Sequence, residues 1–304
     1  MRISTQQIYE GGASRISEIQ TALYKTQQQV ATGRRMLAPS DDPVAAARAL
    51  DLTQQQSINS QYAANRTHAR NTLGFVEGTL SSVTEVLQQV KEAIVGAGNP
   101  LYDDAQRATV ATELSTRFDA ILGLANTRDA QGNYLFSGYQ SDTPAFVESA
   151  SGATYQGDLG QLRVQVDANR QMVLNSPGQT VFQGGGQDIF QTLKDAIALL
   201  QTPVVTAADR AALDAGLATA NADLELALDN VLTVRAALGT RLQELDSLDA
   251  AGDDRNVQYS AMLSEIQDLD YARALTTLAQ QETTLEAAQQ SFVKTSALSL
   301  FNYL

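Results

Sequence analysis

Apolar residues recur at alternating spacings of three and four through most of this chain. The most regular run lies in the first third of the sequence. Its members are Leu73, Val76, Leu80, Val83, Leu87, Val90 and Ile94. This spacing is typical of the buried seam of a coiled coil, so it predicts a long helix with one apolar face. Gly96, Gly98 and Pro100 follow at once and predict the end of that helix.

The N-terminal stretch carries a second stripe of the same kind. It consists of Ile16, Ile19, Leu23, Thr26 and Val30. We expect a helix within residues 1–35 that Gly33 ends, because glycine readily adopts the left-handed conformation of a helix C-terminus. Glutamine, serine and threonine fill its other faces, with few charges.

A further helix is predicted to start at Pro43 and to run to about residue 70. Asp42 is a good N-cap, and proline is favoured at the first helical position. Asp41 and Asp42 also suit the positive end of the helix dipole. Paired aspartates can bind a metal, but capping explains both residues without one.

Later stripes predict four more helices. One runs from Val110 to Ala125 and one from Ile189 to Leu200. The longest stripe extends from Leu217 to Leu248, and only Arg241 interrupts its apolar face. We expect a turn at 250–255, "AAGDDR", and then a last helix over roughly 255–300. Short connections between long helices favour antiparallel neighbours.

The pattern changes between residues 129 and 188, where glycine, serine, asparagine, tyrosine and valine are frequent. Leu162, Val164 and Val166 alternate with polar residues, which indicates a strand with one buried face. Strands are predicted at 133–139, 145–149, 153–157, 161–167, 170–176 and 179–183. The glycine triplet at 184–186 predicts a hinge, since no Lys-Ser/Thr follows to make a phosphate-binding loop.

Charge and composition exclude several classes of protein. The chain has 21 Lys and Arg against 34 Asp and Glu, a net charge of −13, so nucleic acid is not an expected partner. No apolar run reaches the roughly 18 residues that a membrane span needs, so we expect no membrane insertion. The start "MRISTQQIYEGG" has no apolar segment typical of a Sec signal peptide.

The candidate chemistry is sparse. His68 is the single histidine and cysteine is absent, so the usual zinc ligand sets cannot form. No G-x-S-x-G motif is present for a serine hydrolase. The segment 127–138 has a faint EF-hand shape but lacks the first and twelfth ligands, and it indicates a turn before the first strand. We therefore predict a structural protein with no catalytic, cofactor-binding or metal-binding residues. An enzyme or ligand-binding module in the β-rich insert is the alternative from another class.

Both ends of the chain are apolar and carry few charges. Residues 274–304 contain three charged side chains, Glu282, Glu286 and Lys294, while Leu278, Leu285 and Phe292 repeat every seven residues. A solvated helix of that length normally carries more charge. Either these faces fold back on the rest of the chain, or they remain exposed and form a protein–protein interface. The pattern alone leaves both possibilities open.

Five segments together resemble the bacterial flagellin family, and within it the group that forms the hook–filament junction. They are "MRISTQQIY", "ATGRRMLAPSDDPVAAARAL", "ANTRDAQGNYLFSGYQSDTPAF", "NVLTVRAALGTRL" and "SFVKTSALSLFNYL". The resemblance covers nearly the whole chain. Filament-forming flagellins share the two ends but typically lack the "PSDDP" form and so compact an insert. A flagellin of the filament is therefore the runner-up.

The resemblance implies a mainly α fold, a long-helix coiled coil and bundle built from both chain ends, with a small inserted β-rich domain. Residues 1–40 with 275–304 would form a terminal axial coiled coil that orders on assembly. Residues 41–128 with 189–274 would form the helical bundle. Residues 129–188 would form the outer β-rich domain.

The resemblance also implies a function and partners. The protein would be a structural subunit of the extracellular flagellum, exported unfolded by the flagellar type III system after a cytosolic chaperone has covered its C-terminal helix. About eleven copies would form a ring between hook-associated protein 1 and flagellin. Apolar side chains of the two ends would form the subunit interface. The expected interface residues are Ile16, Ile19, Leu23, Val30, Leu278, Leu285, Phe292, Leu298, Phe301 and Leu304.

Overall fold

A computed structural model describes residues 5–297 of the chain. Within these residues seven helices and four short strands follow one another. Their bounds are α1 Thr5–Thr32, α2 Pro43–Ala97, α3 Asp104–Ala125, β1 Phe146–Ser149, β2 Gly152–Tyr155, β3 Arg163–Asp167, β4 Arg170–Val173, α4 Gly178–Phe182, α5 Ile189–Gln201, α6 Ala207–Gln267 and α7 Tyr271–Ala297. The predicted fold class, mainly helical with a small β-rich insert, is confirmed.

Helix α2 joins two stretches that the sequence predicted as separate helices. It runs for 55 residues without a break. Nothing between residues 70 and 73 stops it, because no proline or left-handed glycine occurs there. The predicted start is confirmed, since the Asp42 carboxylate accepts a hydrogen bond of 3.0 Å from the Ala45 backbone N–H.

Helix α6 also continues where a turn was predicted. The segment 250–255 is helical, and α6 extends over 61 residues to Gln267. The predicted start of the last helix at about 255 is therefore wrong. The chain breaks instead at residues 268–270, and α7 begins at Tyr271. There the Asp270 carboxylate accepts a hydrogen bond of 3.0 Å from the Arg273 backbone N–H and caps the new helix.

The insert consists of two antiparallel hairpins and a helical turn. Strand β1 pairs with β2, and β3 pairs with β4. Four of the predicted strands are confirmed in shortened form. The strand predicted at 133–139 is wrong, because these residues form turns with an isolated bridge between Arg128 and Tyr134.

The last predicted strand, at 179–183, is also wrong, because this segment forms helix α4. Val181 and Phe182 are adjacent, yet both are buried. A strand with one buried face cannot bury two successive side chains, whereas a helical turn can.

The core of the bundle follows the predicted stripe. All seven apolar residues from Leu73 to Ile94 are at most 1 % exposed. They pack with the apolar faces of α3, α5 and α6. Edge-to-face and tilted rings link the insert to this core, with centroids 4.8–5.9 Å apart. The rings belong to Phe118, Phe136, Phe146, Phe182 and Phe190.

The chain divides into two compact units. One comprises residues 1–59 with 253–304, and the other comprises residues 60–252. Helices α2 and α6 contribute to both. The finer division into axial, bundle and outer domains stays a prediction. Among residues 5–297, none of the helices is both long and apolar enough to cross a membrane.

Candidate assembly surface

Helices α1 and α7 pack against each other in the first unit. The rings of Tyr9 and Phe292 meet edge to face, with centroids 5.9 Å apart and planes at 87°. Gly12 makes room for this contact, because a Cβ atom at that position would lie 2.7 Å from a Phe292 ring carbon. The two chain ends therefore form a helix pair within one copy.

Seven of the ten predicted interface residues lie in the described part of this pair. Each of the seven is half-buried. They are Ile16, Ile19, Leu23, Val30, Leu278, Leu285 and Phe292. The remaining three, Leu298, Phe301 and Leu304, lie outside the described residues. That these side chains contact other subunits stays a prediction.

The helix pair covers its apolar stripe far less well than the bundle covers its core. Among the described side chains of α1 and α7, only Thr26 and Ala274 are buried, each 7 % exposed. Two helices share one seam, so each keeps most of its surface in contact with water. The stripe therefore leaves apolar surface on the free chain, which is typical of an interaction site.

Further apolar side chains of the same unit are exposed, and the sequence analysis missed them. Val44 and Leu50 of α2 are 68 % and 70 % exposed, and Val257 of α6 is 69 % exposed. On α7, Leu275 and Val293 are 51 % and 63 % exposed. None of them belongs to the residues selected from the apolar stripes, which is why periodicity did not mark them. Their exposure enlarges the surface that a neighbour could cover.

Backbone pairing fixes the point where α1 ends and α7 begins. The Arg35 N–H donates to the Gln267 carbonyl at 2.8 Å, and the Leu269 N–H donates to the Gly33 carbonyl at 3.0 Å. Gly33 has a positive φ of 69°, as predicted for the residue that ends α1. This short bridge takes up backbone groups of residues 267–269, which explains why the helix breaks there.

The turn before α2 is stabilised by Asp41. Its carboxylate accepts hydrogen bonds from the Lys25 ammonium at 2.6 Å and from the Leu37 and Ala38 backbone N–H groups at 3.0 and 3.2 Å. The Lys25 hydrogen bond, followed by the two backbone bonds, holds the pKa of Asp41 below its ordinary value. Asp42 thus caps α2 as predicted, whereas Asp41 binds Lys25 and the preceding turn and makes no hydrogen bond to the helix start.

The second unit contains a buried arginine that the sequence analysis did not single out. Arg66 of α2 is 1 % exposed. Its Nε donates to Asp249 of α6, and its Nη1 donates to the Val166 carbonyl of β3 at 3.0 Å. Burial favours a raised pKa for Asp249, but hydrogen bonds from Arg66 and Arg70 outweigh it and lower that pKa. Arg66 therefore ties the insert to both long helices.

No catalytic arrangement is found in residues 5–297. His68 lies exposed on α2. Among the described residues there is no group of three or more His, Cys, Asp or Glu that could hold a metal ion.

Comparisons with known proteins agree with this architecture. The family profile described as "Bacterial flagellin N-terminal helical region" matches residues 3–141. Flagellar hook-associated protein 3 of Escherichia coli is 38 % identical over 315 aligned positions, which cover 99 % of both chains. Flagellin of Bacillus subtilis is 24 % identical over 91 % of this chain and 90 % of its own.

A solved structure extends the likeness to the fold. The structure of a putative flagellar hook-associated protein from Vibrio parahaemolyticus is 28 % identical and has a TM-score of 0.68. It covers 75 % of this chain and 100 % of that protein. The alignment at 38 % identity extends over 99 % of both chains, so it shows the family of the whole chain. The chain belongs to the flagellar hook-associated protein 3 family, a family of structural flagellar proteins and not of enzymes.

Proposed function

We propose that this protein is a subunit of the junction between the flagellar hook and the flagellin filament. The observation that carries the proposal is the alignment with flagellar hook-associated protein 3 over 99 % of both chains. The half-buried stripe of the α1–α7 pair supports assembly through the chain ends. The expected neighbours are hook-associated protein 1 on the hook side, flagellin on the filament side and further copies of the chain.

The energy available from the stripe is sufficient for assembly. A fully buried Leu, Ile, Val or Phe side chain stabilises by about 1.5–3 kcal/mol. Half-buried residues can gain about half of this when a neighbour covers them, or about 1 kcal/mol each. Seven such residues supply on the order of 5–10 kcal/mol per subunit. Part of this free energy offsets the entropy lost when the helices are ordered and the subunits dock. A single contact between two copies is therefore weak, whereas a ring in which every copy has several contacts is stable.

The geometry of a junction favours unlike contacts on each copy. A layer that joins two different structures must present different surfaces above and below. Such heterologous contacts close into rings or continue as helical tubes. We propose that about eleven copies form one layer, with residues 1–40 and 275–304 as its axial domain. Residues 41–128 with 189–274 would form the bundle around it, and residues 129–188 would face outward.

The same half-buried stripe supports the proposed export route. An apolar helix pair is an aggregation risk in the cytosol. We expect a cytosolic export chaperone to cover α7 until the chain leaves unfolded through the flagellar type III system. The chain has no cysteine, so no disulfide has to be broken for an unfolded passage. Its final position would be outside the cell, at the hook–filament junction.

A test of the interface compares two variants of α7. Leu285→Asp places a charge in the half-buried stripe, and Gln289→Asp places the same charge at an exposed position of the same helix. We expect cells that carry Leu285→Asp in place of the native gene to shed flagellin into the medium and to lose swimming. Cells with Gln289→Asp should swim. Normal swimming with Leu285→Asp would exclude this face from the interface.

The alternative is a flagellin that forms the filament itself, which the likeness to Bacillus subtilis flagellin favours. The purified chain distinguishes the two functions. A junction subunit should form no long filaments when it is incubated alone and viewed by electron microscopy. Growth of long filaments from the purified chain would favour the alternative. Retention of flagellin filaments in cells that lack the gene would refute the junction function.

A further inference from the structure

Arg241 lies at a cleft in the second unit, between helix α6 and the insert. The cleft has a volume of about 360 Å³. Val234, Ala237 and Arg241 form its helical side. The insert contributes polar side chains on the other side, namely Gln161, Asn175, Ser176 and Thr180.

The guanidinium of Arg241 lacks a partner. Its Nη1 atom is buried and makes no hydrogen bond. Within residues 5–297, no carboxylate lies at salt-bridge distance from this side chain. Burial accordingly lowers the pKa of Arg241 below its ordinary value, with no acidic group to oppose it. The buried Nη1 group is costly without an acceptor, because its N–H donors have lost water.

Neighbouring arginines show how unusual this is in the same unit. Arg235, less than two turns earlier on α6, donates to Glu77 at 2.7 Å. Arg170 of β4 binds both oxygens of Glu244, which lies one turn after Arg241. The chain has 34 acidic against 21 basic residues, so acidic partners are abundant. A shortage of carboxylates therefore does not explain why Arg241 is unpaired.

The amide oxygens that line the cleft already have other donors and make no hydrogen bond to Arg241. The Asn175 Oδ1 atom accepts from the Leu162 N–H at 2.8 Å, and its Nδ2 donates to the Gly160 carbonyl at 2.9 Å. Gln161 Oε1 already accepts from Arg163. The Nη1 group is therefore free to bind an acceptor from outside the chain. Its planar fork of donors matches the geometry of a carboxylate or a phosphate, and the carboxylate is the one that this chain itself carries, in 34 Asp and Glu residues.

We propose that the Arg241 cleft is a binding site for a carboxylate. The guanidinium donates to both oxygens, and the hydroxyl groups that line the opposite wall supply further donors. The carboxylate can come from a small organic acid or from an Asp or Glu side chain of a second copy of the chain. The second source rests on the proposed assembly, whereas the site itself does not.

The site is tested on the full-length chain by NMR titration. Sodium acetate is added to labelled protein, and sodium chloride is added to a second sample at equal ionic strength. We expect the Arg241 Nε–H signal to shift saturably with acetate and to shift much less with chloride. Arg15, exposed on α1, serves as the control and should respond equally to both salts. Equal responses of Arg241 to the two salts would overturn the proposal.

Two variants show that the response belongs to Arg241. The backbone amides of Thr180 and Ala237 report on the cleft when the arginine is replaced. In Arg241→Gln we expect their acetate response to fall to that of chloride. Arg241→Lys keeps the charge without the fork and should respond saturably but at higher acetate concentration. A full acetate response in a folded Arg241→Gln protein would contradict the assignment. If the glutamine variant fails to fold, an acetate response of Arg241→Lys equal to that of the wild type would contradict it in the same way.

The source of the carboxylate is decided on assembled flagella. If a second copy supplies it, acetate should release wild-type subunits more readily than chloride does, and Arg241→Gln should abolish that difference. If a small organic acid supplies it, the two salts should release subunits equally while the NMR response persists. A chain that never enters flagella would refute the proposed function, yet the NMR titration of the free chain would still decide the site.

Discussion

Replacement of Arg66 by methionine is expected to destabilise the second unit strongly. Methionine keeps much of the side-chain volume but removes the guanidinium. Asp249 then retains only Arg70, whose Nη2 lies 2.5 Å from it. The Val166 carbonyl, which accepts from Arg66 at 3.0 Å, loses that bond in a buried position. Both effects act on the folded state, because the unfolded chain hydrates these groups.

The size of the effect follows from burial. Removing one partner of a buried ion pair costs roughly 3–5 kcal/mol. An unsatisfied buried carbonyl costs about 1–3 kcal/mol. Asp249 is 27 % exposed and keeps a second arginine, which reduces the first contribution. We therefore expect a loss of about 3–4 kcal/mol in the free energy of unfolding.

Arg70→Met is the matched control. Arg70 shares Asp249 with Arg66, but its side chain is 38 % exposed, and an exposed ion pair contributes only about 0–1 kcal/mol. Urea unfolding followed by circular dichroism gives both values, and hydrogen exchange of the β3 and β4 amides reports the local effect. A loss for Arg66→Met no larger than that for Arg70→Met would refute the reasoning from burial.

The pH dependence has a defined sign. The pKa of Asp249 is lowered in the folded state. Its contribution is therefore fully present above the ordinary carboxyl pKa of about 4 and is lost as the pH falls through the lowered value. Stability of the wild type should fall more steeply below about pH 4 than stability of Arg66→Met. Parallel pH profiles for the two proteins would contradict the assignment of this pKa shift to Arg66.

Two further predictions concern the first unit. Gly12→Ala should weaken the α1–α7 pair, because the new Cβ would lie 2.7 Å from the Phe292 ring. Gly11→Ala meets nothing within 4 Å and should strengthen α1 by up to about 1 kcal/mol. Hydrogen exchange of the α1 amides measures both effects, and equal protection in the two variants would contradict the close contact. The carboxyl of Asp41 should titrate below its ordinary pKa in an NMR experiment. Lys25→Gln should raise that pKa again, since the hydrogen bond from Lys25 is the largest cause of its lowering. An unchanged titration midpoint in the variant would show that the backbone hydrogen bonds alone lower the pKa.

The helical class and most of the core could be predicted from the amino-acid sequence. Spacings of three and four can be satisfied only by a helix with one buried face, so the stripe from Leu73 to Ile94 marked the bundle core correctly. Local chemistry also determined the start of α2, because the Asp42 cap and Pro43 act within one turn. The same periodicity selected the predicted interface residues, and the seven that lie in the described part of the chain are half-buried.

The ends of the long helices and the identity of the buried polar groups depend on contacts between distant parts of the chain. Glycine and aspartates at 250–255 resemble a turn, yet α6 continues there. The chain breaks instead at 268–270, where its backbone pairs with residues 33–35, more than 230 positions away. Arg66 and Arg241 are arginines on two long helices, but Arg66 binds a carboxylate and a carbonyl, whereas Arg241 has no acceptor. Periodicity describes one helix at a time, whereas helix breaks and the partners of buried polar groups depend on what packs against that helix.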